Sequence, residues 1–233
     1  GVQASMWGVC KPIGIAALLV GLLLMQPDFG SAALLIMITL GMVWLGGARL
    51  RNLGLLAALA MPALAWAALF EEYRLKRLKS FLDPWADPFN EGFQLTQALI
   101  AVGRGEWFGV GLGASVQKLF YLPEAHTDFI LAVIAEELGF FGVLLVIALF
   151  AWLVGCGLRI GLRALERGQR FGGYCAFGVS LMLAIQALVS IGVNLGVLPT
   201  KGLTLPLISS GGSSVLMTCA AIGLLARVSY ELT

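Results

Sequence analysis

Charge is scarce in this sequence: 15 Lys and Arg and 13 Asp and Glu make up 12% of its 233 residues. Soluble domains carry about twice that share, so a surface wetted all round is excluded. The two signs nearly cancel at +2, and nothing in that balance points to nucleic acid. Histidine occurs once, and Cys10, Cys156, Cys175 and Cys219 stand singly in or beside apolar runs without CxxC spacing. The thiols therefore read as packing residues, not as metal ligands or a disulfide framework. An initial Met and a basic-then-apolar leader are also lacking, and the chain is expected to be part of a longer polypeptide.

Apolar residues are what the sequence has in excess, at 59% with a mean hydropathy of +0.92. The solvent is lipid, where every backbone polar group must be satisfied internally. These runs are too long and too unalternating for barrel strands, so the expected fold is all-α, a polytopic transmembrane helix bundle. Runs near the roughly 17–25 residues that cross a bilayer fall at 7–25, 32–45, 53–70, 129–156, 176–197 and 203–226. Arg49 and Arg51 lie in one short connection and Arg159, Arg163, Arg167 and Arg170 in another, which places both in the cytoplasm. The opposite, outer face then receives 26–31, 198–202 and the long loop 71–127. Loops of that length are usually functional. Within it Leu95, Leu99 and Val102 follow Phe93 at helical spacing, predicting a short amphipathic helix at the interface. Gly103, Gly105, Gly109, Gly111 and Gly113 then predict a flexible stretch.

The polar residues that stand out gather on the outer side. Asp128 ends the long loop in His126-Thr127-Asp128 and opens the fourth span; a carboxylate at that depth is costly unless used, although an Asp there is equally a good helix N-cap. His126, being alone, reads as structural. Glu136 and Glu137 lie roughly 12–14 Å further along the same helix at about 1.5 Å per residue. They are expected to make interhelical polar contacts, with a proton pathway as the alternative. Gln26-Pro27-Asp28-Phe29-Gly30 breaks the chain between the first two spans and sets Asp28 at the mouth of the bundle, unless it is a simple turn. The run from Asn194 to Ser213 interrupts two spans with Gly196, Pro199, Gly202, Pro206, Ser209, Gly211 and Gly212, and irregular backbone at membrane depth lines a cavity or is buried in protein. Lys201 with Arg74 or Arg77 can hold a pyrophosphate; Lys201 in contact with lipid headgroups, and the Ser209 to Ser213 run in helix packing, is the plainer reading.

The spacing of Asn, Gly, Pro, Gly, Pro, Ser and Gly-Gly-Ser over 194–213 resembles the signature of the SEDS family (shape, elongation, division, sporulation). QPDFG at Gln26, FLDPWADPF at Phe81, GFQLTQALIAVGRG at Gly92 and LPEAHTDFILAVIAEELG at Leu122 resemble it too, in the family order and over the whole chain. Pro199-Thr200-Lys201-Gly202 and the DPWADP segment are more similar to the cell-division branch than to the elongation branch. The resemblance implies a ten-span fold, of which six spans are present here as the C-terminal part of one membrane domain. It also implies polymerisation of lipid II into β-1,4 glycan strands at the outer face of the cytoplasmic membrane during septal wall synthesis. The implied partners are a class B penicillin-binding protein and other division membrane proteins.

Carried onto this sequence, the essential family aspartate falls on Asp128. An inverting displacement at an α-linked sugar needs a base on the attacking hydroxyl and charge stabilisation on the departing pyrophosphate. A carboxylate of ordinary pKa, about 3.9, is already ionised at neutral pH. Lys201, Arg74, Arg77 or a bound divalent cation are the candidates for the leaving group, with Asp28, Ser209 and Ser213 as further substrate contacts and Asn194 as a structural polar group. Two other classes fit the same composition: a flippase for a lipid-linked sugar, supported by Glu136 and Glu137, and a non-catalytic division scaffold. Polymer formation after Asp128 substitution separates enzyme from scaffold, and substitution of the glutamate pair tests the flippase.

Overall fold

The computed structural model describes residues 6–26, 28–48, 51, 54, 58, 79–90, 92–200 and 202–232. Among them the regular structure is helical throughout: α1 (Met6–Met25), α2 (Phe29–Leu45), α3 (Phe93–Gly105), a π-helical turn (Gln117–Tyr121), α4 (Ile130–Glu166), α5 (Arg170–Asn194) and α6 (Gly212–Tyr230). The expected all-α membrane fold is therefore what forms. The last three helices are each long and apolar enough to cross a membrane, while α1, over Lys11–Met25, and α2 are apolar but shorter. The expected span at 53–70 lies almost wholly outside the described residues.

Two compact units divide the chain. The first comprises Gly1–Ala67, Val154–Ile185 and Ala221–Thr233, the second Ala68–Leu153 and Gln186–Ala220. In the first, helices approach through small residues, as membrane helices do when lipid offers no hydrophobic drive between them. A Cβ at Gly41 would overlap Leu181, and one at Gly157 would overlap the Ser180 hydroxyl. Ala164, Ala176, Leu225, Val228 and Leu232 make its apolar centre. An open groove of about 960 Å³ runs past Ile15, Leu19, Leu35 and Met42 to Arg170 and Tyr174.

The second unit is built on α3. Its Leu95, Ala98 and Ala101 are buried, and Ala98 and Ala101 pack with Leu122, Ala125, Phe129, Ala132, Val133 and Val193. The predicted amphipathic helix exists, but its apolar stripe is covered by protein.

A single apolar span was expected at 129–156; α4 instead runs for 37 residues and is broken at Gly139, whose φ of 67° and ψ of −162° lie outside the helical region. At about 1.5 Å per residue an unbroken helix of that length would be roughly 55 Å long, against a hydrocarbon core of about 30 Å. The break frees four backbone groups, and residues 106–111 take all of them. Phe140 N–H donates to the Glu106 carbonyl (2.9 Å) and Phe141 N–H to that of Trp107 (3.3 Å). In return Val110 and Gly111 donate to the carbonyls of Glu136 (2.9 Å) and Glu137 (3.1 Å). These two amides and two carbonyls are thus all paired.

This close approach corrects the expectation of a flexible glycine stretch. A Cβ at Gly105 would overlap the Ala135 carbonyl oxygen, and one at Gly109 the carbonyl of Glu137; only Gly103, Gly111 and Gly113 face open space. Trp107, Phe108, Phe140 and Phe141 cluster beside the break, with ring centroids 5.3 to 6.3 Å apart.

The last expected span began at Leu203, yet α6 starts only at Gly212. Pro206 has no amide to give a helix, and Leu207 is held at a φ of 65°, so 203–211 forms turns.

Gly139→Ala would place a Cβ 2.5 Å from Gly109 N on a backbone that already has positive φ. It is expected to destabilise the protein by about 2 kcal/mol or more, read as a lower unfolding temperature in detergent. Gly103→Ala, a helical position open to space, is the control and should not lower it.

Candidate functional site

α5 ends in a Schellman cap. Gly196 at φ 69° lets Val197 N–H reach the Gly192 carbonyl (2.8 Å) and its own N–H reach that of Val193 (3.1 Å). That stop leaves Asn194 in the last turn, with no exposed surface. Its side-chain amide donates to the carbonyls of Asp128 (2.9 Å) and Ser190 (2.8 Å), and its oxygen accepts from Ala132 N–H (3.0 Å). The helix that follows Asp128 thus has a first-turn amide capped by a residue 62 positions away.

The entry to α4 is a tight turn. The Glu124 carbonyl accepts from the amides of Thr127, Asp128 and Phe129 at 3.1 to 3.2 Å, while Glu124 itself is held at a φ of 55°. The Thr127 hydroxyl donates to the Glu124 carboxylate at 2.7 Å. Ser209 Oγ donates to the Thr127 carbonyl (2.6 Å) and accepts from Leu205 N–H (2.7 Å). Ser210 N–H donates to the His126 carbonyl at 2.8 Å. Three consecutive carbonyls, at 126, 127 and 128, are held in this way by donors from Ser210, Ser209 and Asn194. The Asp128 side chain is half-buried, and Gly202 runs so close that a Cβ there would lie 3.2 Å from Asp128 Oδ2.

Glu136 is wholly buried and tied to the loop. It accepts from Ser115 Oγ (2.5 Å), Val116 N–H (3.2 Å) and Gln117 N–H (3.3 Å), and pairs with Arg104 Nη1 at 3.2 Å. Glu137 pairs with Lys118 Nζ at 2.6 Å. Of the interhelical contacts expected for this pair, Arg104 supplies one, from the last turn of α3; the others run to the loop. Sequence reasoning missed Arg104, Ser115 and Lys118. A signal existed, since Arg104 and Lys118 are the only Lys or Arg between Lys79 and Arg159, two cations for two intramembrane carboxylates.

The remaining sequence candidates divide. Asp28, in the first unit, is exposed and caps α2 by accepting from Ser31 N–H at 3.0 Å. Ser213 is exposed in the first turn of α6, and His126 is exposed. Ser209, expected as a substrate contact, is 3% exposed with its hydroxyl occupied as donor and acceptor. Arg74, Arg77 and Lys201 lie outside the described residues. Among the described residues no three His, Cys, Asp or Glu side chains are grouped to hold a metal ion.

A half-buried carboxylate on a fixed main chain, with Gly202 running close beside it, is an arrangement able to accept a proton from a hydroxyl. The profile of the family described as cell cycle protein, FtsW, RodA and SpoVE, matches residues 1–233, and the chain belongs to that family. The probable peptidoglycan glycosyltransferase FtsW of Xanthomonas oryzae pv. oryzae is 60% identical over 99% of this chain and 47% of its own length. The FtsW of Thioalkalivibrio sulfidiphilus is 55% identical over 99% of this chain and 58% of its own. The chain thus spans about half the length of these relatives. Among solved structures, a chain from work on how a peptidoglycan synthase complex coordinates polymerization and crosslinking superposes with a TM-score of 0.76 at 33% identity. It covers 98% of this chain and 63% of that one. The rod shape determining protein RodA of Thermus thermophilus gives 0.64 at 28% identity, over 99% and 60%.

Glu136→Ala would leave Arg104, Ser115 and two amides without their acceptor. Arg104 is about half-exposed and can be solvated, so the cost comes from the donors left unsatisfied, about 1–3 kcal/mol for each one that stays buried. The variant is expected to show a markedly lower unfolding temperature and faster proteolysis between residues 106 and 121.

Proposed function

We propose that the full protein is a peptidoglycan glycosyltransferase that polymerises lipid II at the outer face of the bacterial cytoplasmic membrane, at the division septum, with Asp128 as general base. The observation that carries this reading is the clamped main chain at 126–128, which presents one half-buried carboxylate beside Gly202. The names of the FtsW relatives support the activity and the division role.

In this reading the carboxylate takes the proton of the acceptor sugar hydroxyl as its oxygen attacks the anomeric carbon of the donor. The bond to undecaprenyl pyrophosphate breaks on the opposite side, inverting the α-linkage to β. The departing charge asks for cations, and Lys201, Arg74, Arg77 or a divalent ion are the groups assigned to it. Asp28 and Ser213 are assigned weaker contacts with the substrate. The similarity to a chain from a synthase complex supports a class B penicillin-binding protein as partner.

The flippase reading needs Glu136 and Glu137 able to carry protons through the membrane. Their ion pairs with Arg104 and Lys118 favour anchoring instead.

The test is glycan-strand formation from purified lipid II by the full-length protein with its penicillin-binding partner. Asp128→Asn is expected to fold, bind the partner and lose at least about 100-fold in polymerisation, the span of general base catalysis. Normal polymer from that variant would remove Asp128 from the chemistry.

A further inference from the structure

We propose that Ser209 and Asn194 are positioning residues for the Asp128 carboxylate, acting through the main chain and not through the substrate. The inference rests on Asp128 being the base. Neither side chain reaches a sugar or a lipid phosphate, since they are 3% and 0% exposed. The contacts they make are to backbone. Ser209 Oγ fixes the carbonyl of Thr127 and Asn194 Nδ2 that of Asp128, so the peptide groups on both sides of the Asp128 Cα are held. With the main chain fixed on both sides, the direction of the Cα–Cβ bond that carries the carboxylate is fixed too, and the carboxylate is left only its own rotamers.

The turn that these bonds hold is not relaxed. Glu124 adopts a positive φ without being glycine, a conformation that costs about 1–3 kcal/mol and persists only where the surroundings over-determine it. Releasing the Thr127 carbonyl gives the turn a way to relax and swing the carboxylate. A displacement of about 1 Å is enough to lower turnover about 100-fold. Substrate affinity, set by groups elsewhere, has no reason to follow. Asn194 adds a second constraint, because its oxygen holds Ala132 N–H and so ties the start of α4 to the same point on α5.

The experiment measures lipid II polymerisation by the full-length protein with its partner for wild type, Ser209→Ala, Ser209→Thr, Asn194→Leu and Asp128→Asn. Ser209→Ala is expected to lower kcat about 10- to 100-fold with KM for lipid II within about twofold, and Ser209→Thr, which keeps the hydroxyl, to recover most of the rate. Asn194→Leu, close to Asn in size, loses the donors to Asp128 and Ser190 as well as the acceptor for Ala132 N–H, and should show the same split; it decides the matter if Ser209→Ala fails to fold. Unchanged kcat in folded variants, or a raised KM at constant kcat, overturns the proposal. An inactive Asp128→Asn beside a fully active Ser209→Ala sinks positioning alone. A normal Asp128→Asn sinks the base and the positioning together.

Discussion

The second unit depends on one constraint: in a medium that offers no water, each backbone N–H and C=O freed by an interruption has to find a partner in the protein. Gly139 frees two carbonyls and two amides in α4, and residues 106–111 match them one for one. Gly105 and Gly109 are there because the two backbones meet closely enough that side chains would collide. The loop is thereby built into the helix that begins just after Asp128.

The same demand shapes the other end of that helix segment. Asn194 caps a first-turn amide of α4 while satisfying its own donors. Ser209 carries one hydrogen bond in and one out. Polar side chains in this region do backbone work that water would do in a soluble protein. The carboxylates divide accordingly: Glu136 and Glu137 anchor the loop through Arg104, Lys118 and three further donors, while Asp128 stands half-buried at the entry to α4 beside Gly202. That division favours an enzyme over a carrier, because a proton carrier needs its buried carboxylates able to exchange partners.

Composition determined that the solvent is lipid, and the length of the unalternating apolar runs that the chain crosses it as helices and not as barrel strands. The apolar runs at 7–25 and 32–45 lie within three residues of α1 (Met6–Met25) and α2 (Phe29–Leu45), whereas α5 begins six residues before its expected start and α6 nine after. The SEDS resemblance, carried by the 194–213 spacing, identified the family and singled out Asp128. Tertiary structure alone decided where α4 breaks, that the Ser209 hydroxyl is buried between the Leu205 amide and the Thr127 carbonyl, and that Gly105 and Gly109 are packed against the backbone of α4. In sequence a glycine that permits motion and a glycine that permits contact are the same letter. A serine facing substrate and a serine facing a carbonyl 82 residues away are likewise indistinguishable until the chain has folded, because hydrogen-bond partners so distant are set by packing and not by any local pattern.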